Sequence, residues 1–160
     1  MATDTNARHA LRKSIHQALG ESIPLPAPYA PRAFPVLSQR RRIEPGSDGY
    51  VLVASMSGTP TVVGQEMVQQ VDVFTPDGTA ELGEVCGVEV SRLLLERERG
   101  AAGSGPAAGS VLPVVEHAGR TYVFTHIIEA LSLDQTEEGA GGQDVRHVIL
   151  QFRVRAQRFG

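Results

Sequence analysis

The stretch EMVQQVDVFTPDGTAELGEVCGVEVSRLLLERER, residues 66–99, decides the fold because its period changes halfway along. From Glu66 to Phe74 it alternates: Met67, Gln69, Val71 and Val73 fall on one face, Val68, Gln70, Asp72 and Phe74 on the other. That is the period of a strand. Thr75-Pro76-Asp77-Gly78 then supplies turn residues. From residue 79 to 98, Ala80, Leu82, Val85, Cys86, Leu93 and Leu94 can share one helical face. Gly83 and Gly87 weaken that helix, while Arg97 and Arg99 sit where the dipole of its last turn favours cations.

Upstream, Ala7, Leu11, Ile15, Ala18 and Leu19 build one stripe, which predicts a helix over 4–20 with Asp4 or Thr5 as its cap and Gly20 as its stop. Residues 21–35 hold five prolines in fifteen positions, too many fixed φ angles and missing donors for helix or central strand. Residues 24–35 therefore read as an extended, Pro-rich connector. A short strand follows from Phe34, with Val36 on one face and Leu37 on the other. YVLVASM at 50–56 is a continuous apolar run suited to a strand buried on both faces, and it is expected to pair with 66–74.

Downstream, GAAGSGPAAGS at 100–110 and DQTEEGAGGQD at 134–144 have compositions that bury too little apolar surface to offset ordering, and they read as flexible loops. VLPVVEH, AGRTYVFTHIIEALSL and VRHVILQFRVRAQRF supply further strands. The last is the clearest: Val148, Leu150, Phe152 and Val154 alternate with Ile149, Gln151, Arg153 and Arg155. The order is helix, three strands, helix, then two to four strands. It predicts one α+β domain over 1–160: a mostly antiparallel sheet of about four to six strands, two helices on one face, and long Gly-rich loops.

Composition narrows the function. At 160 residues, 41% hydrophobic and 21% charged, the chain suits one folded domain. A formal net charge of −3 lacks the electrostatic footprint of a dedicated nucleic-acid binder. Cys86 is the single cysteine, so an internal disulfide is excluded and zinc-ligand spacing is missing, as expected of a chain from a reducing cytosol. The N-terminus lacks an uninterrupted apolar core of the signal-peptide kind, and no window reaches bilayer length, so no membrane partner is expected.

Candidate chemistry is sparse. Asp72 and Asp77 would need a third converging ligand or a base, and none stands at ligand spacing, so both read as turn or surface residues. The histidines 9, 16, 117, 126 and 147 form no metal motif, and His126, aligned with Tyr122, Phe124 and Ile128, reads as a core or interface residue. No serine lies in a nucleophile elbow. The basic runs Arg40, Arg41, Arg42 and Arg153, Arg155, Arg158 lack interleaved aromatics, which favours interface or solvated roles over nucleic-acid contact. No catalytic residue, metal or cofactor is expected.

Taken together, ALRKSIHQAL, the Pro-rich passage into AFPVLSQRRR, the unit QQVDVFTPDGTAELGEVCGVEVSRLL and the closing DVRHVILQFRVRAQ resemble the tail terminator proteins of long-tailed phages. The extra VLPVVEHAGRT segment and the long 134–144 loop depart from that pattern. The resemblance implies a virion protein of the tail and neck, assembled in the host cytoplasm. It would form a ring, a homohexamer, that caps the head-proximal end of the tail tube, stops tube polymerisation and receives the stopper or head-completion protein. DNA would pass through the lumen without sequence-specific binding, and six copies at −3 would carry roughly −18, a charge that does not grip DNA. Arg40, Arg41, Arg42, Asp72, Arg153 and Arg155 are the candidate subunit contacts. The alternatives are a stopper or neck adaptor of the same particle, the cap of a contractile injection machine, and, from a different class, a small enzyme using Asp72 or His126.

Overall fold

The computed structural model describes residues 5–43, 49–53, 66–76, 80–96, 110–138 and 144–159. Helix α1 spans Thr5–Leu19. Every residue of its expected stripe is buried, joined by Ala10 and Ser14. Gly20 ends it at φ 79°, a left-handed conformation, with its N–H donating to the His16 carbonyl at 3.0 Å. Helix α2 spans Ala80–Leu95, so helix follows strand in the expected order, while Asp77, in the expected turn, lies outside the described residues.

The strands are β1 (Ser22–Pro24), β2 (Ala33–Leu37), β3 (Tyr50–Val53), β4 (Glu66–Pro76), β5 (Val115–His117), β6 (Arg120–Glu138) and β7 (Asp144–Phe159). They form one seven-stranded sheet in the order β1-β2-β3-β4-β7-β6-β5. Only β2 and β3 pair in parallel, so the sheet is mixed but mostly antiparallel, as expected of the α+β class. Seven strands exceed the four to six expected, and four rather than three precede α2.

The extra strand comes from the Pro-rich passage. Instead of a plain connector over 24–35, Ser22–Pro24 and Ala33–Pro35 pair as a hairpin, and the Val36 N–H donates to the Glu21 carbonyl at 2.9 Å. Pro24 is tolerated because β1 is a three-residue strand at the sheet edge, where a missing donor costs no ladder bond. A second correction concerns 134–144. Asp134 to Glu138 continue β6 and pair with β7 down to Glu138↔Asp144, because the cross-strand ladder extends past the point where apolar alternation stops. Residues 100–109 and 139–143, the rest of the two loops apart from Ser110, lie outside the described residues.

Both helices pack on one face of the sheet. Leu11, Ile15, Leu82, Cys86, Val90 and Leu94 meet Val51, Met67, Val71, Val73, Leu150, Phe152 and Val154 in one buried cluster. The predicted α2 face holds for Leu82, Cys86 and Leu94, and Val90 joins it. Gly83 and Gly87 are sites of close approach. A Cβ on Gly83 would lie 2.9 Å from Thr75 Oγ1 and 3.0 Å from Thr75 Cγ2, and one on Gly87 would lie 3.3 Å from Val148 Cγ1. The helix gives up local propensity there so that its backbone can lie on the sheet.

The opposite face is covered differently. A small cluster of Ile43, Tyr50, Leu52, Phe74 and Val145, with Leu37 against it, sits at one end. Thus β3 is buried on both faces, as its unbroken apolar run predicts. The Arg41 N–H donates to the Tyr50 hydroxyl, and that hydroxyl donates to the Arg41 carbonyl, each at 3.1 Å. These bonds pin the segment after β2 over the sheet.

Strand β6 carries two bulges against β7, between Thr125 and Ile128 and between Glu129 and Leu131. His126 sits at the first with φ 55° and is exposed, which removes the core alternative from the core-or-interface reading of its spacing. Ile127 takes the buried position and Ile128 turns outward.

Candidate functional site

The helix-free face of the sheet gathers most of the polar side chains that the sequence singles out. Residues opposite one another in an antiparallel pair share a face. Phe74↔His147↔Gln135 therefore marks one end of this face, and Glu66↔Arg155↔Thr125 the other.

Asp72 is the main surprise. It is 5% exposed, and its Oδ1 lies 2.6 Å from His147 Nε2 and accepts a hydrogen bond from Gln70 Nε2 at 2.8 Å. Gln151 Nε2 donates to Gln70 Oε1 at 3.1 Å, extending the network across β4 and β7. The His147 ring stacks on Phe74 at 4.2 Å between centroids, and Phe74 on Tyr50 at 5.2 Å. The surface role expected of Asp72 is corrected by this burial. The physical reason is the register: β7 brings a histidine opposite Phe74, diagonal to Asp72, and the pair satisfies a carboxylate that could not otherwise be buried.

The arrangement of Asp72 and His147 invites a catalytic reading, since an imidazole oriented by a carboxylate is half of a nucleophile-activating relay. Cys86, however, lies in the core on the other side of the sheet, where burial pushes its thiol far up. Ser14 donates to the Pro113 carbonyl beneath α1, and Ser91 to Glu129 on α2. These nucleophile candidates stand away from His147. What the pair does chemically is to fix the ring stack and the β4–β7 register.

The arginines divide into two groups. Arg40, Arg41 and Arg42 are exposed on the segment after β2, with the Arg40 guanidinium 4.8 Å from the Phe74 ring centroid and that of Arg41 5.4 Å from that of Tyr50. Thus Arg40, Arg41 and Asp72, distant in sequence, meet around one aromatic stack. Arg153 and Arg155 are exposed on the same face opposite Val68 and Glu66. Arg153 lies six positions along β7 from His147, roughly 20 Å of strand. The two basic groups are therefore not brought together.

The sequence reading missed the outer flank. β5 pairs only with Arg120–Tyr122, so among the described residues no strand covers β6 beyond Tyr122 on that side. Along this flank, between α2 and β6, lies a groove of about 410 Å³ with Gly87, Val88, Val148 and Leu150 in its wall and Glu84, Glu129 and Asp134 around it. Asp134 is paired with Arg146, whose Nε is 2.9 Å from its Oδ1, and Glu129 accepts from Ser91 at 2.8 Å. The signal was present: residues 126–138 contain four carboxylates and no Lys or Arg, and residues 22–43 four arginines and no carboxylate.

At the foot of α1 the His9 and His117 rings meet edge-on at 5.7 Å. Partial burial, then the charges of Arg12, His117 and Arg8, hold His9 below its ordinary value. Among the described residues no group of three or more His, Cys, Asp or Glu side chains is placed to hold a metal, and no helix is long and apolar enough to cross a membrane. Compared with protein-family models, with curated proteins and with solved structures, the chain matches none.

Proposed function

We propose that this chain is a ring-forming structural protein of a long-tailed phage, a tail terminator that caps the head-proximal end of the tail tube. The observation that carries the reading is the outer flank of β6. Among the described residues it is a nineteen-residue strand whose three-residue neighbour, β5, covers only its first positions. Such an edge is a ready template for another chain, and proteins that do not use one usually shorten or shield it. The order of elements also agrees with the segments that carry the resemblance: α1, the Pro-rich passage, the β4–α2 unit and the closing β7.

In this role the protein needs no turnover. A ring closes by repeating one heterologous contact, one of its faces accepts the last tube ring, and the other refuses a further tube ring and accepts the stopper or head-completion protein. DNA passes through the lumen. The test is to polymerise tube subunits, taken from the genome that encodes this chain, with and without it, and to measure lengths by negative-stain microscopy. Tubes that stop growing and carry a ring at one end are expected. Unlimited growth in its presence would sink the capping role, and binding to the head-completion protein alone would make it a stopper or neck adaptor.

A further inference from the structure

We infer that the foot of α1 and the tip of the β5–β6 hairpin form a binding site for a phosphate group. The inference goes beyond the capping reading and does not depend on it. Ala118 and Gly119, the two residues between β5 and β6, both have positive φ, 52° and 76°, the signature of a type I′ turn. His117 and Arg120 are therefore held directly opposite one another on one face. It is the face of Val115 and Tyr122, which are buried with the helices, and alternation turns the Glu116 side chain to the other. Ala118 is an L residue in a left-handed conformation, a strain that clusters at binding sites and switches.

Helix α1 meets this face with its basic side. The His9 and His117 rings touch edge-on at 5.7 Å, and Lys13 Nζ lies 3.4 Å from the Glu116 carbonyl oxygen. Arg8 and Arg12 flank His9 along the helix, and Arg158 of β7, opposite Tyr122, stands one row further in. Residues 5–19 and 110–122 thus bring Arg8, Arg12, Lys13 and Arg120 together around the His9 and His117 imidazoles, and the one carboxylate among them, Glu116, is turned away. Arg120 is exposed and Arg8 half-buried, and neither has an ion pair among the described residues.

The state of His9 gives the sign of the local field: partial burial, then the charges of Arg12, His117 and Arg8, hold it below its ordinary value. Cations crowd here without a counter-ion, and an anion relieves that. Guanidinium forks and imidazole N–H groups donate from several directions, which suits the tetrahedral oxygens of a phosphate better than the two oxygens of a carboxylate. The negative net charge does not oppose this, because charges beyond about 10 Å are largely screened at roughly 0.1 M salt. An anion among these groups favours protonated His9, so binding takes up a proton and tightens as pH falls.

Inorganic sulfate is the first probe, a phosphate analogue whose charge is constant near neutral pH. In the parent chain, followed by the imidazole Hε1 signals at fixed ionic strength, sulfate replacing chloride should shift His9 and His117 saturably. It should raise the His9 midpoint by about one pH unit, which by linkage makes binding about tenfold tighter with His9 protonated than neutral. Arg8→Gln/Arg120→Gln should bind at least about tenfold more weakly at an unchanged thermal midpoint. Arg153→Gln/Arg155→Gln, on the helix-free face, should bind like the parent. Duplex DNA of random sequence is the second probe. If it displaces sulfate, the phosphates are those of a nucleic-acid backbone, and each arginine removed should lower the salt slope by about one. If sulfate binds and the duplex does not, the ligand is a free phosphate or a phosphomonoester.

Shifts no larger than chloride gives, or shifts that do not saturate, overturn the inference. So do undiminished binding by folded Arg8→Gln/Arg120→Gln and an equal loss in Arg153→Gln/Arg155→Gln. Should the first double variant unfold, Arg120→Gln alone carries the comparison, since Arg120 is exposed beside the turn.

Discussion

Replacing Gly83 by alanine should destabilise the domain, although the same change in an open helix would stabilise it. Helix propensity favours alanine by about 1 kcal/mol. Against this, the new Cβ would lie 2.9 Å from Thr75 Oγ1 and 3.0 Å from Thr75 Cγ2, distances at which something must move. Thr75 is fully buried on β4, so the strain passes into the β4–α2 contact. Overpacking of this kind costs about 1–3 kcal/mol, leaving a net loss of up to roughly 2 kcal/mol. At about 2–4 °C per kcal/mol, the thermal midpoint should fall by several degrees.

Gly87 is the internal control. Its added Cβ would lie 3.3 Å from Val148 Cγ1, a methyl that can give by a few tenths of an ångström, and at ordinary contact, 4.0 Å, from Leu150 Cδ1, so Gly87→Ala should be neutral or mildly stabilising. Thr75→Ala removes both clashing atoms, and it removes a hydroxyl that is buried without a hydrogen-bond partner. In that background Gly83→Ala should recover its propensity gain, a coupling of about 1–3 kcal/mol in a double-mutant cycle read by urea unfolding. Equal stabilisation by both glycine substitutions in the parent chain would refute the close-packing argument.

Three further outcomes are expected. Asp72→Ala should cost about 1.5–3 kcal/mol in urea unfolding, since it leaves His147 buried without its carboxylate, whereas Asp72→Leu/His147→Leu should recover much of the loss; strictly additive effects would count against the pair. The Cys86 thiol, raised by burial and then by Glu89, should resist a disulfide reagent in the native protein and react fully in denaturant; prompt native labelling would show the α2–sheet core to be open. His16 is lowered by desolvation and then by Arg12, and its Nε2 is buried with no hydrogen-bond partner. A folded pKa below the unfolded value means that the unfolded chain binds the proton better. Stability is then full above the unfolded value of 6.5 and is lost as pH falls through it towards the folded value, so His16→Leu should flatten that part of the stability profile.

Elements with a clean period were legible in the sequence: the α1 stripe, the alternation of β4, the apolar run of β3 and the two faces of β7 all stand where spacing puts them. Elements set by pairing were not. β1 has three residues and a proline, so only its partner β2 makes it a strand. Asp134–Glu138 look like a loop by composition and become strand because β7 runs beside them. The same limit hid the Asp72–His147 contact, which spans 75 positions and depends on the β4–β7 register, and sequence spacing carries no register. The Arg40–Arg42 run was legible as charge, but its seat on Phe74 and Tyr50 was not.

The two bulges of β6 act together on parity. Before the first, Tyr122 and Phe124 face the helices; the first inverts the alternation, so that Ile127 and Glu129 do so; the second restores it, so that Ser132 and Asp134 do so again. Each bulge therefore absorbs one residue of length. Deleting either bulge residue alone would restore plain alternation at that point and leave every other side chain on its present face, with Ser132 and Asp134 still under α2. A single deletion in the regular stretch after Leu131 has no such slack and would turn over every residue beyond it. Homologues of different length are accordingly expected to differ here by single residues placed at the two bulges.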